Sequence, residues 1–147
     1  MNGNYDIYFA RLLEETRKEH FPEVRNSDVV IDLKVKPVVI DEEISVERTG
    51  IEKWKNGPRY VIRGSLPGWT VREFAGEAII RGVIGHELAH IARGDCDKIL
   101  LSLRNLCFEL PCIGRMLYRR NERRTDAFAT RRGLGYEIRR FRDKNPI

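Results

Sequence analysis

The pentapeptide His86-Glu87-Leu88-Ala89-His90 reads H-E-x-x-H and holds two of the chain's three histidines. On an α-helix the two imidazoles stand one turn apart, so both can reach one ion, with a carboxylate beside them. Such a set suits a metal-dependent hydrolase: the imidazoles bind zinc and the carboxylate takes a proton from water. The flanking residues read as that helix. From Val71 to Arg93 there is no proline, and Ile80, Val83, Ile84, Leu88 and Ile91 recur at the helical period. Thr70, with Glu73 three residues on, reads as an N-cap with a capping box, and Gly94 stands where a helix stops. At about 100° per residue, His86, Glu87 and His90 span roughly a quarter of the circumference. Ile84, Leu88 and Ile91 fall largely away from them, toward a core. The bland alternative is an amphipathic helix with satisfied polar residues; without a metal, burying two His and a Glu on one face would be costly.

A catalytic zinc takes three protein ligands and keeps one position open. His20 is the only other histidine, and Cys96, Cys107 and Cys112 are thiols that favour a closed structural site. Glu122 is the better candidate. It opens Glu122-Arg123-Arg124-Thr125-Asp126-Ala127-Phe128-Ala129, inside a segment from about Arg115 to Arg132 that reads as helical. Glu122 and Asp126 are i,i+4 and share a face, so one carboxylate can bind metal while the other holds an imidazole through its second nitrogen. Ala127 and Ala129 are small enough to let this helix come close to the first. A solvated charge pattern on an Arg-rich helix is the competing reading.

Together, H-E-L-A-H and E-x-x-x-D-A-F-A resemble the gluzincin metallopeptidases, in particular the branch of the CAAX-prenyl endopeptidases and HtpX-type proteases, and by length the soluble minigluzincins. The second motif of that branch commonly reads E-x-x-A-D-x-x-A; Thr125 stands here where its alanine stands. The resemblance covers roughly Val71 to Arg132. It implies Zn2+ held by His86, His90 and Glu122, Glu87 as general base, Asp126 behind one histidine, and a peptide or unfolded protein as substrate. It also implies a donor that steadies the oxyanion, for which Arg115, Tyr118, Arg119 and Tyr136 are candidates. An edge strand upstream of the zinc helix would bind substrate by strand addition, with Arg59, Tyr60, Val61, Ile62 and Arg63 as the natural segment. A regulatory protease of the ImmA/IrrE kind, which cleaves a repressor, is a second reading. A basic binding protein with a structural zinc is a third.

The rest of the composition bounds these readings. At 147 residues one domain with its own core is expected over residues 1–147. Three cysteines do not make a secreted disulfide framework, and the acidic start (MNGNYDIYFARLLEE) lacks an apolar signal region, so a cytoplasmic location is expected. Glutamine is absent and 33% of residues are charged, which leans toward a thermophile. Ile99 to Leu117 is apolar but interrupted by Arg104, Asn105, Glu109 and Pro111, so no integral membrane segment is expected. Residues 1–50 carry 7 basic and 11 acidic side chains, whereas residues 115–147 carry 11 and 4. The basic third invites a nucleic-acid reading, but its paired arginines suit a solvated helix face or pairing with the acidic third.

The elements that must position the site read as α+β, and the gluzincin resemblance implies a zincin-like order: a small mixed sheet packed on the zinc helix and a C-terminal glutamate helix. Residues 5–20 suggest a helix with Ile7, Ala10 and Leu13 on one face and Glu14 four before Lys18. Ile31, Leu33 and Val35 alternate with Asp32, Lys34 and Lys36 as a half-buried strand, extended by Val38 to Ile40; Ile44 to Arg48 is another strand candidate. Asn56-Gly57 signals a hairpin between Ile51–Lys55 and Arg59–Arg63, and Gly64 to Trp69 reads as the loop into the zinc helix. A helix from about Asp97 to Leu110 and a turn at Pro111 follow. Residues 134–147 are expected as an inhibitory tail, with Tyr136 to Phe141 extended across the metal, or as a flexible end.

Overall fold

The computed structural model describes residues 3–25, 29–36, 52–54, 57–95, 106 and 109–147. Helices dominate, joined by one small sheet. In chain order the elements are α1 (Gly3–His20), β1 (Val29–Lys36), β2 (Glu52–Trp54), β3 (Gly57–Pro67), α2 (Trp69–Arg72), α3 (Phe74–Ala92), α4 (Pro111–Ala129) and α5 (Gly135–Lys144). The strand candidates at 38–40 and 44–48 and nearly all of the 97–110 helix lie outside the described residues. No helix among the described residues is long and apolar enough to cross a membrane.

The period-two alternation in β1 holds: Val29 and Leu33 are buried while Asp32, Lys34 and Lys36 face solvent. β1 runs parallel to β3, setting Ile31 opposite Ile62 and Val35 opposite Leu66, so one face of the pair is apolar. β2 pairs antiparallel with the start of β3, Trp54 opposite Gly57 and Glu52 opposite Arg59, which places Gly57 in the strand rather than in the turn. The sheet order is β1-β3-β2. β3 is therefore the middle strand and not the expected edge. It also runs on to Pro67, through most of the residues expected to form a loop.

The apolar sheet face, α1 and α3 share one core: Phe9, Leu12, Leu13, Leu33, Ile62, Leu66, Ile80, Ile84 and Leu88 are all buried in it. On α1 the inward face differs from the expected one. Leu13 is buried as expected, but Ile7 is 75% exposed, Ala10 is also outside, and Tyr5, Tyr8, Phe9 and Leu12 point inward. The aromatic residues bury more area and take the inside. Glu14 pairs with Arg17 at 3.0 Å rather than with Lys18, because the guanidinium also reaches the Val24 carbonyl at 2.8 Å.

The expected capping box is absent. The Thr70 hydroxyl donates to the Pro67 carbonyl at 2.7 Å, and the helix breaks at Glu73, which is extended (φ −101°, ψ 141°) and precedes α3. α3 ends at Ala92, just short of Gly94, as its sequence predicts. Pro111 opens α4 instead of making a turn, in the first-turn position where its missing N–H costs nothing.

The C-terminal residues correct the largest expectation. They form α5, a helix with Ile138 and Phe141 buried, so Tyr136 to Phe141 are not extended. The turn between α4 and α5 needs Gly133, whose φ of 98° is disfavoured for residues with a Cβ. Helix α5 lies hard against α3. A Cβ on Gly82 would stand 2.3 Å from the Glu137 carbonyl oxygen and 2.8 Å from the Phe141 Cβ, too close for any side chain. The close approach expected of Ala127 and Ala129 thus occurs elsewhere: Ala127 is exposed and Ala129 sits in the core.

This packing makes Gly82→Ala an overpacking substitution. A loss of about 1–3 kcal/mol in unfolding free energy is expected, read from urea or guanidinium denaturation. An unchanged midpoint and slope would show that α5 does not bear on α3 at this point.

Candidate metal centre

Two helices build the site. α3 carries His86, Glu87 and His90 on its last turns, and α4 carries Glu122 and Asp126 one turn apart. Four of them are withdrawn from solvent, His90 fully buried, His86 2% exposed, Glu122 4% and Glu87 7%, while Asp126 is half-buried. The rings of His86 and His90 meet edge to face with centroids 4.6 Å apart. Their Nε2 atoms are 3.1 Å apart. One carboxylate spans both: Glu122 Oε2 is 3.0 Å from His86 Nε2, and Glu122 Oε1 is 3.2 Å from His90 Nε2.

That spacing fits a metal. Ligand atoms about 2.0–2.1 Å from a tetrahedral ion lie about 3.3–3.4 Å from one another. The donors of His86, His90 and Glu122 all fall within 4.8 Å of one another, and they form the metal-capable group of His, Cys, Asp and Glu among the described residues. A few tenths of an ångström would bring them to coordination distance. Two Nε2 atoms at contact distance can share at most one proton between them, so hydrogen bonding alone satisfies the pair poorly.

Behind each imidazole stands a carboxylate, and behind each carboxylate a guanidinium. His86 Nδ1 donates to Asp126 Oδ1 at 2.8 Å, and Arg142 from α5 grips Asp126 through Nε at 2.6 Å and Nη2 at 3.1 Å. His90 Nδ1 donates to Asp95 Oδ2 at 3.0 Å, and Arg93 reaches the same oxygen at 2.9 Å. Arg93 also donates to the Thr125 hydroxyl, which lies 3.3 Å from His90 Nδ1 and itself donates to the Asn121 carbonyl at 3.0 Å. Carboxylates at both Nδ1 atoms fix the tautomers and aim both Nε2 lone pairs at the shared point.

No family model, no curated protein and no solved structure matches this chain. The geometry of the residues themselves therefore carries the reading of the site.

His86, His90, Glu122 and Asp126 come together in the arrangement expected from their spacing, with Glu87 beside them. Among the described residues, the alternatives for a third ligand do not join them. His20 Nδ1 binds the Arg132 carbonyl at 2.6 Å, and Cys112 is exposed; Cys96 and Cys107 lie outside the described residues. Arg115, Tyr118, Arg119 and Tyr136, the candidate oxyanion donors, all sit on exposed helix faces. Of the candidate substrate strand, Tyr60, Val61, Ile62 and Arg63 pair with Val29, Val30, Ile31 and Asp32 of β1, and Arg59 pairs with Glu52 of β2. One edge of this segment is therefore taken by β1. The sequence motifs do not include Asp95, Arg93 and Arg142, which the structure adds to the site. Asp95, directly after the Gly94 stop and five residues past His90, carried the one local signal.

The charges shift in the directions this network dictates. Burial opposes the charged form of His86, but hydrogen bonds to Asp126 and Glu122, with Glu87 nearby, hold its pKa up at about 9 against an ordinary 6.5. Burial likewise opposes ionisation of Asp126 and Asp95. Hydrogen bonds from His86 and Arg142, and from His90 together with the charge of Arg93, nevertheless lower the two carboxyls below their usual range.

A metal ion placed among these donors would compete with a proton for His86. The raised pKa stabilises the chelator-treated fold fully below about pH 6.5, and this contribution is lost as pH rises through about 9. Metal binding needs the neutral ring, so affinity for a divalent metal such as zinc should rise with pH over the same window, by about tenfold per unit for one displaced proton. Chelator-competition titrations at several pH values check this. An affinity that is flat from pH 6.5 to 9 would mean that His86 gives up no proton to the metal.

Proposed function

We propose that the chain is a zinc-dependent endopeptidase of the gluzincin type. The supporting observation is the convergence of His86 Nε2, His90 Nε2 and the Glu122 carboxylate within 3.0 to 3.2 Å of one another. Two features of the surroundings add to it. Both imidazoles are backed by carboxylates, as is usual for zinc-ligating histidines. Glu87 stands beside these donors on α3, where a base for a metal-activated water is needed.

Zinc bound here would supply acidification of a water molecule and polarisation of the scissile carbonyl. The residues of the chain do the rest. Glu87 lies beside the ligands on α3, near enough for its charge to act on His86, and it accepts the proton of the attacking water and returns it to the leaving amine. Asp126 and Asp95 hold the imidazoles in the tautomer that presents Nε2. Glu122 reaches across from α4 and joins the two helices at the reaction centre. The substrate class is a peptide or unfolded protein.

Glu87→Gln keeps the shape of the side chain but removes its basicity. It should retain about the wild-type zinc content while turnover of a quenched peptide or casein falls about 10²- to 10⁴-fold. Glu122→Ala should lose the metal itself, seen by elemental analysis after dialysis. Full activity in Glu87→Gln, or wild-type cleavage that survives chelation, would overturn the assignment.

A further inference from the structure

Arg142 belongs to α5, 20 residues beyond Glu122 and outside both sequence motifs, yet its guanidinium lies against the site. It makes a two-pronged contact with Asp126, Nε to Oδ2 at 2.6 Å and Nη2 to Oδ1 at 3.1 Å. The same Nη2 is 3.4 Å from Glu122 Oε2, the oxygen that faces His86. One planar group thus fixes the plane of the carboxylate that orients His86 and touches the carboxylate expected to bind metal. A fork of this kind sets geometry as well as charge, which a single ammonium cannot do.

The placement of Arg142 depends on the seating of α5. Phe141, the preceding residue, is buried, lies 5.7 Å from the His86 ring and carries the Arg142 guanidinium 4.7 Å above its own ring. Leu134 fills the space beside Gly85, where a Cβ would stand 2.4 Å from its Cδ1, and Gly82 admits the α5 backbone. Two glycines on the motif helix therefore set the distance from which the C-terminal helix delivers its arginine.

We propose that Arg142 is a positioning residue of the metal centre, and that the seating of α5 on α3 and the metal affinity of the site are thereby coupled. The inference rests on the proposed metal site but not on peptide cleavage. Removing the guanidinium takes from Asp126 one of the two groups that hold it among the described residues, and takes from Glu122 one of its contacts. Seating α5 correctly restores both.

The test uses the full chain and measures metal binding by chelator competition with zinc alone, alongside the visible absorption of the cobalt-substituted protein. Arg142→Ala should weaken zinc binding about 10- to 100-fold, the usual cost of losing an outer partner of a metal ligand, and should alter the cobalt spectrum. Methylguanidinium at millimolar concentration should restore a measurable part of both, a rescue that a merely structural helix anchor would not show. Arg142→Lys should fall between wild type and Arg142→Ala, because charge returns without the fork. If Arg142→Ala fails to fold, Gly82→Ala replaces it: displacement of α5 should weaken zinc binding with Arg142 chemically intact. Wild-type zinc affinity and an unchanged cobalt spectrum in either variant would overturn the proposal. A wild-type protein that binds zinc tightly but cleaves no peptide would sink the hydrolase reading and leave this comparison valid.

Discussion

Two imidazole nitrogens 3.1 Å apart, both facing one carboxylate in the protein interior, form the contact on which the arrangement of this molecule turns. Left to themselves such groups repel or compete for a proton, and each is costly to bury unsatisfied. They are held together by constraint from behind. His86 is pinned at Nδ1 by Asp126 and His90 by Asp95, so neither ring can swing its Nε2 away without breaking a charge-assisted hydrogen bond. The one-turn offset on α3 supplies the spacing, and Glu122 on α4 supplies the opposing wall.

That constraint explains why α3 is the most enclosed element. One side of the helix contributes Ile80, Ile84 and Leu88 to the core shared with the sheet and α1. Another side, at Gly82 and Gly85, accepts α5 and Leu134 at distances that exclude a side chain. The face between them carries the ligands and meets α4. A helix packed on three sides cannot rotate or fray in its last turns, so the apolar packing performs a positioning task. The polar network performs the complementary one: Arg93 and Arg142 neutralise Asp95 and Asp126, which lets both carboxylates stay ionised though withdrawn from water. A metal bound at such a preformed centre stabilises the fold by the free energy of its binding, because the unfolded chain offers no equivalent site.

How much of this was legible in the sequence follows from how local each feature is. The spacing of His86 and His90, and of Glu122 and Asp126, is set by the helical period alone, so those residues could be grouped without knowing the fold. The alternation in β1 was readable for the same reason. The third ligand already required two helices to meet, and chemistry rather than geometry favoured Glu122 over His20. Arg142 was beyond reach: the tail has the pattern of an amphipathic helix, but no spacing relates α5 to α3. Local rules also misled where a nearby competitor existed. Thr70 has the right neighbours for a capping box, yet its hydroxyl finds the Pro67 carbonyl first. Ile7 and Ala10 lie at helical spacing, yet Tyr5, Tyr8 and Phe9 define an equally periodic face with more area to bury. The place of β3 in the middle of the sheet depends on a parallel partner far away in sequence, which periodicity cannot report.

The C-terminal residues show how the same tail composition serves a different end once its backbone is known. A segment that crosses a cleft by strand addition must leave its own N–H and C=O groups available to the cleft. In α5 those groups are used within the helix, so residues 135–144 offer no strand, and the segment contributes through its side chains. Phe141 lies against the His86 ring, and Arg142 stands behind Asp126 with its Nη2 also 3.4 Å from Glu122 Oε2. The tail packs behind the site rather than across it, with Glu137 and Phe141 against Gly82 of α3 and Leu134 against Gly85.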